Sequence, residues 1–162
     1  MLLSIASIAH AQQQQQRIYD LVTKRHGLPG SCLLFDPLTF TIASGDEDSR
    51  DAGIQTLEGI TLIKKHLPGV RTLLGLSNIS FGLKPYPRQI LNSVFLEEAL
   101  QHGLDSAILH AKKILPTTSI NDEDLAVARD LIYDRRSPGY DPLFVFMERF
   151  ADAKAPAADT SD

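Results

Sequence analysis

Three polar residues stand where a buried ligand could be held. Asp36 follows the apolar run Leu33-Leu34-Phe35, Asn78 comes two residues after Leu73-Leu74-Gly75-Leu76, and Arg88 opens a long amphipathic segment. An ionised carboxylate at the end of an apolar run is costly unless donors meet it, and the N–H groups of a flat heterocycle would serve. An amide carries both a donor and an acceptor, so Asn78 could hold a ligand nitrogen in either protonation state. Each residue also has a plain structural reading. Asp36 precedes Pro37 and could cap its own turn through an Asx geometry. Asn78 could satisfy loop backbone, and Arg88 could start a helix with its head in solvent.

The elements that would position these groups are βα units. Cys32–Asp36 follows Gly27, Pro29 and Gly30; Thr72–Ser77 follows Pro68-Gly69; Ser106–Leu109 follows Gly103. Short, wholly apolar runs of this kind are expected of parallel strands covered on both faces. Between them, residues 51–66 place Ile54, Leu57, Ile60 and Ile63 at helical intervals, with Lys64, Lys65 and His66 at the end favoured by the helix dipole. Residues 88–102 repeat the pattern through Ile90, Leu91, Val94, Phe95 and Ala99, closed by Gly103. A further helix is expected over 122–135, capped by Asn121 or Ser119. Ahead of the first strand, residues 2–25 read as one amphipathic helix stopped by Gly27. The fold class is therefore α/β, with three parallel strands each followed by a helix. Three strands do not close a barrel, and no phosphate-binding glycine loop is found. In parallel βα folds, ligands sit at the carboxyl ends of the strands, which is where Asp36 and Asn78 fall.

Composition excludes several classes. The 162 residues carry 16 basic and 20 acidic side chains, a net charge of -4 without a basic stripe, so nucleic acid is not an expected partner. No stretch reaches the roughly 20 apolar residues of a membrane span. Cys32 is the only cysteine, which rules out an internal disulfide and fits a reducing cytoplasm. At the start of an apolar run, it reads as a small buried thiol. His66, His102 and His110 lie on separate elements without metal-ligand spacing, so no metal site is expected. Residues 1–11 resemble a secretory leader only superficially, having no Lys or Arg before Arg17. Beyond residue 136, Pro138, Gly139 and Pro142 interrupt the pattern. Residues 143–150 could form a short helix, and 153–162 read as disordered, so 137–162 is taken as a linker and tail.

The string Gly75-Leu-Ser-Asn-Ile-Ser-Phe-Gly-Leu83, then Arg88-Gln-Ile-Leu-Asn92, Val94-Phe-Leu96 and Gly103-Leu-Asp-Ser-Ala-Ile108, resembles the last third of the pterin-binding barrel of cobalamin-dependent methionine synthases. Upstream, Leu34-Phe-Asp-Pro-Leu-Thr-Phe40 and Ala43-Ser-Gly-Asp46 match the same family in the same order. The resemblance implies that residues 1–136 are the carboxyl-terminal part of a TIM-type (βα)8 barrel, its last three strands with their helices. It implies 5-methyltetrahydrofolate as the substrate, with Asp36, Asn78 and Arg88 contacting the pterin and Asn78 near N5 in the catalytic role. The cobalamin would be held by a separate, absent domain, since no D-x-H-x-x-G corrinoid motif is found. Partners implied are a cobalamin-binding module and a chain supplying the first five strands, about five being missing upstream of Cys32. The family commonly has Asn or Asp where this chain has His110. A methyltransferase is implied, with the chain alone expected to be inactive. The alternatives are a truncated, non-catalytic remnant and a related barrel, dihydropteroate-synthase-like or a corrinoid-protein methyltransferase. Residues 77–83 and 88–108 favour methionine synthase over both related barrels.

Overall fold

A computed structural model describes residues 5–151, with side chains from Gln12 onward. The first residues of the leader-like opening and the tail 153–162, read as disordered, lie outside the described residues. The chain runs α1 (Ile5–Asp20), β1 (Leu34–Phe35), α2 (Ala52–His66), β2 (Arg71–Gly75), α3 (Pro85–Gln101), β3 (Ser106–Ile108), α4 (Asp122–Ile132) and α5 (Pro142–Arg149). The strands form a parallel sheet in the order β1-β2-β3, with Leu34 opposite Arg71 and Leu74 opposite Ala107. Strand, helix, strand in one direction is the expected βα arrangement.

The first helix continues through a π-helical turn over Leu21–Arg25 and stops at Gly27, whose φ of 66° a side chain would resist. Ile18 and Leu21 are exposed, while Tyr19 packs against Ile63, Leu67 and Val70 and donates its hydroxyl to Pro68 O at 3.1 Å. Two strand boundaries differ from expectation. Gly30–Cys32 forms a 3-10 turn, so β1 starts only at Leu34, and Cys32 lies exposed on that turn rather than buried. Residues Leu76–Ser80 also form a 3-10 turn, which moves Ser77 and Asn78 off the strand and onto the loop at its carboxyl end.

The long helices form the core with the inner strand. Leu57, Ile60, Leu74, Ile90, Leu91, Val94 and Phe95 are all buried in one cluster. Helix α3 begins three residues earlier than expected because Pro85 suits the first helical position, where no intrahelical N–H bond is lost. At α4 the choice of cap falls to Asn121, whose side chain accepts the Asp124 N–H at 2.9 Å, and the acidic first turn suits the helix dipole. Helix α4 is tied to α3 by Arg129, which donates to Glu98 at 2.8 Å and Glu97 at 2.9 Å, and by the Tyr133 hydroxyl, which donates to Glu98 at 2.6 Å.

Burial and that hydrogen bond to a carboxylate push the Tyr133 phenol from 10.0 up to about 12. The unfolded chain then releases this proton first. The stabilisation is complete below the ordinary value of 10.0 and is lost as pH rises toward about 12. Tyr133→Phe should flatten that alkaline decline, as followed by denaturant midpoints. An unchanged decline would assign the loss to other groups.

The largest departure is at the end. Residues from 137 onward were expected to be linker, but α5 packs into the main core through Leu143, Phe146 and Phe150, with Phe146 fully buried. Phe146 and Phe150 meet with ring centres 4.7 Å apart and planes tilted by 53°, and Tyr86 of α3 meets Phe150 edge-on at 6.1 Å. Asp141 caps α5 through the Leu143 and Phe144 N–H groups and is gripped by Arg50 at 2.9 and 2.7 Å. The segment 137–150 is thus part of the folded body, because an apolar helix face and a buried cation both require it.

Candidate functional site

The three strands deliver three loops to one end of the sheet. After β1, Asp36 Oδ1 accepts the Leu38 N–H at 2.8 Å, and Leu38 takes a φ of 67°. This is the Asx turn that Asp-Pro favours, and the carboxylate is exposed. Thr56 of α2 then donates to Leu38 O at 3.0 Å and pins the loop to its helix. The loop is also stitched to the next one. Ile42 N–H donates to Ile79 O at 3.2 Å, and the Thr41 hydroxyl donates to Phe81 O at 2.8 Å.

After β2, the turn Leu76–Ser80 is held from α3. Arg88 donates through Nε to Ser80 Oγ at 3.1 Å and through Nη2 to Ser77 O at 3.0 Å. The Ser80 hydroxyl, completely buried, donates a hydrogen bond to Asn92 Oδ1 at 2.7 Å. Arg88 and Asn92 stand four apart on one helix, so they grip the turn from the same face. Asn78 sits at the exposed crest of this turn. Its amide nitrogen lies where a β-carbon on Gly75 would come within 3.3 Å, so the glycine leaves room for the amide to fold back over the strand end.

After β3, His110 precedes the 3-10 turn Ala111–Lys113, and Leu115 N–H donates to Ser93 Oγ of α3 at 2.9 Å. Between the start of α3 and the exits of β2 and β3 lies a cavity of about 360 Å³. Its polar lining is Ser77, Arg88, Gln89, Asn92, His110 and Lys113, set in walls of leucine, isoleucine and proline.

Of the three residues singled out from the sequence, Arg88 lines this cavity, whereas Asp36 and Asn78 do not. Asp36 is separated from the cavity by the whole second loop, and Asn78 shares its turn with the lining residue Ser77. The sequence reading missed Gln89, Asn92 and Lys113. The first two follow Arg88 at one and four residues, a helical spacing that could have flagged them. Lys113 comes from another loop and carries no such signal. The histidines do not converge, and His102 instead meets the Thr61 hydroxyl at 2.8 Å. Among the described residues no group of three or more His, Cys, Asp and Glu could hold a metal, and no helix is long and apolar enough to cross a membrane.

The chain is 52% identical over 143 residues to methionine synthase of Mycobacterium leprae and 54% identical over 140 residues to methionine synthase of Mycobacterium tuberculosis. The matches cover 88% and 86% of this chain but 12% of each relative's own length. Residues 5–110 match the family of pterin binding enzymes, a stretch that holds all three strands, Asp36, the Asn78 turn and Arg88. The chain therefore belongs to the pterin binding enzyme family and is similar, over most of its length, to the methionine synthases.

Proposed function

We propose that this chain forms part of a pterin-binding site for 5-methyltetrahydrofolate, whose N5-methyl group passes to cobalamin in methionine synthesis. The observation that carries the reading is the Arg88–Ser80–Asn92 grip on the Asn78 turn, located within the stretch that matches the pterin binding family. A turn fixed from its helix holds an amide in place before substrate arrives, which is what preorganised catalysis needs. Asn78 is assigned to the N5 edge of the pterin and Asp36 to its ring N–H groups, with Arg88 holding the turn and bordering the ring. The two readings of Asp36 are compatible, since one carboxylate oxygen makes the Asx turn and the carboxylate faces solvent. Cobalamin, carried by a separate module, supplies the nucleophile that accepts the methyl group.

In this reading β1, β2 and β3 are the last three strands of a (βα)8 barrel. The outer edges of β1 and β3 have no strand partner among the described residues, and Leu34 and Ile108 are exposed on those strands. A segment or companion chain bearing the first five strands would cover them. A second reading, a chain that does not engage pterin by itself, is favoured by the exposure of both Asp36 and Asn78.

Calorimetric titration with 5-methyltetrahydrofolate separates the two, run on the chain alone and mixed with the amino-terminal part of a relative's barrel. Binding is expected, and Asp36→Ala should weaken it by about ten- to a hundredfold, the worth of one charge-assisted hydrogen bond. A well-folded mixture that takes up no folate would overturn the proposal and leave the second reading.

A further inference from the structure

The sheet has two faces, and the helices cover one of them. Register and burial agree on which residues share that face: Phe35 pairs with Thr72 and packs against the Ile63 cluster, and Leu74 pairs with Ala107 in the main core. Side chains alternate along a strand, so Leu34, Arg71, Leu73, Ser106 and Ile108 belong to the opposite face. Leu34 is 53% and Ile108 66% exposed there, although parallel sheets are ordinarily covered on both faces.

A charge stands at the amino-terminal end of this open face. Arg71, the first residue of β2, is exposed, and its guanidinium meets no carboxylate among the described residues. Arg50, Arg129, Arg135, Arg136 and Arg149 each meet one. The carboxylates that flank β1 and β3 are engaged elsewhere. Asp105 accepts from Lys64 of α2 and from the Thr72 N–H, both at 2.8 Å, and Asp36 closes its own turn through the Leu38 N–H. Helix α1, which leads into β1, exposes Ile18 and Leu21 and carries Arg17 and Arg25, two more arginines without a carboxylate partner among the described residues.

The barrel reading above turns the lone cation into a constraint. With β1, β2 and β3 as the sixth, seventh and eighth strands, Arg71 points to the barrel interior, where side chains stack in layers contributed by alternate strands. A residue on the seventh strand shares its layer with the first, third and fifth, and none of these is among the described residues. Such layers are filled mainly by branched apolar side chains, among which an unpaired guanidinium is costly.

We infer that the open face is an interface for a polypeptide segment bearing the first five strands, and that this segment presents an inward-facing aspartate or glutamate to Arg71 from its first, third or fifth strand. The inference rests on the barrel reading and adds to it the chemistry that selects the partner. Leu34 and Ile108 supply apolar area that many surfaces could cover. Arg71 fixes the register, because a planar guanidinium meets a carboxylate through two parallel N–H groups, and a slip of one residue would carry that carboxylate to the wrong face.

The test is co-expression of the full chain with the amino-terminal part of a relative's barrel, followed by sedimentation velocity and dilution of the purified complex without folate. A one-to-one complex is expected. Arg71→Met should weaken it by about a hundredfold, the usual effect of leaving one member of a buried charge pair alone, and Arg71→Lys by less. Arg71→Glu should abolish it, and exchange of the opposing acid for lysine on the first, third or fifth strand of the segment should restore it. Each variant chain alone should keep the parent's denaturant midpoint, since Arg71 is exposed there. Parental affinity in both Arg71→Met and Arg71→Glu would overturn the inference by leaving Arg71 in solvent. Failure of the parent chain to assemble would overturn it together with the barrel reading, and a self-associated dimer that Arg71→Glu dissociates would overturn it in favour of a second copy of this chain. An Arg71-dependent complex that takes up no folate would support the inference and overturn the pterin reading alone.

Discussion

Asp141→Ala is expected to lower the free energy of unfolding by about 3–5 kcal/mol, the cost of leaving a buried charge without its partner. Arg50 is only 5% exposed, and its two terminal nitrogens both end on the Asp141 carboxylate, 2.9 and 2.7 Å away. Its remaining nitrogen, Nε, is buried without a hydrogen bond, the Glu47 carboxylate lying 3.5 Å off. Removing Asp141 therefore leaves both terminal nitrogens without their acceptor, with the longer Glu47 ion pair at Nε remaining. The same substitution removes the cap of α5, worth about 1 kcal/mol in its own right. Arg50→Met should cost less, because Asp141 is more exposed and can be solvated once its partner is gone. The pair also sets an acid limit. Arg50 holds the Asp141 carboxyl below its ordinary 3.8, so this stabilisation is present above that value and is lost as pH falls through the folded one. Denaturant titrations of the two variants at neutral pH and in acid would check both statements. A loss below about 1 kcal/mol for Asp141→Ala would mean that α5 is held by its apolar face alone.

That pair also explains where sequence reading stopped. Periodicity located α2, α3 and α4 because their buried residues recur every three or four positions, and each long helix must bury one face. It did not place the last helix inside the body. The run Ser137-Pro-Gly139 punctuates like a linker, and the partner that anchors Asp141 lies 91 residues upstream. Strand ends were misjudged for a related reason. Apolar residues continue past β2 into Leu76 and Ile79, which are buried from a 3-10 turn, and pattern cannot distinguish a buried turn from a buried strand. Cys32 shows the reverse case, a residue type that favours burial but is exposed by the turn before β1.

The local geometry around Asn78 was legible in part. The family motif marked the Asn78 turn and Arg88, and Arg88 does hold that turn. It could not show that the neighbouring cavity is also lined by Lys113, because the β3 loop comes beside the Asn78 turn through the parallel pairing of β2 with β3. The Asx turn at Asp36, by contrast, was readable from Asp36-Pro37 itself, and one carboxylate oxygen is spent on it.

The second large effect is expected at Asn78. Asn78→Ala should slow methyl transfer by about a hundred- to a thousandfold, the usual consequence of removing one preorganised polar group from the reacting centre. In the proposed transfer the electron pair of the N5–methyl bond would stay on N5, which would need a proton or a hydrogen bond to leave, while the separate cobalamin would supply the nucleophile that takes the methyl group. An amide can accept from a protonated N5 or donate to a bare one, so it follows the nitrogen through that change. In the proposed role Asn78 would be held by the grip of Arg88 and Ser80 on its turn and by the space that Gly75 leaves beneath it. Two comparisons distinguish this role from simple binding. Asn78→Asp keeps the acceptor and loses the donor, so it should retain more activity at a pH where N5 is protonated than Asn78→Ala does. If chemistry is the step affected, single-turnover methyl transfer falls while folate affinity changes by less than tenfold. A variant whose affinity collapses while the rate from the bound complex stays at the parent value would make Asn78 a ring-binding group, and the protonation of N5 would have to be assigned to another residue of the assembled barrel.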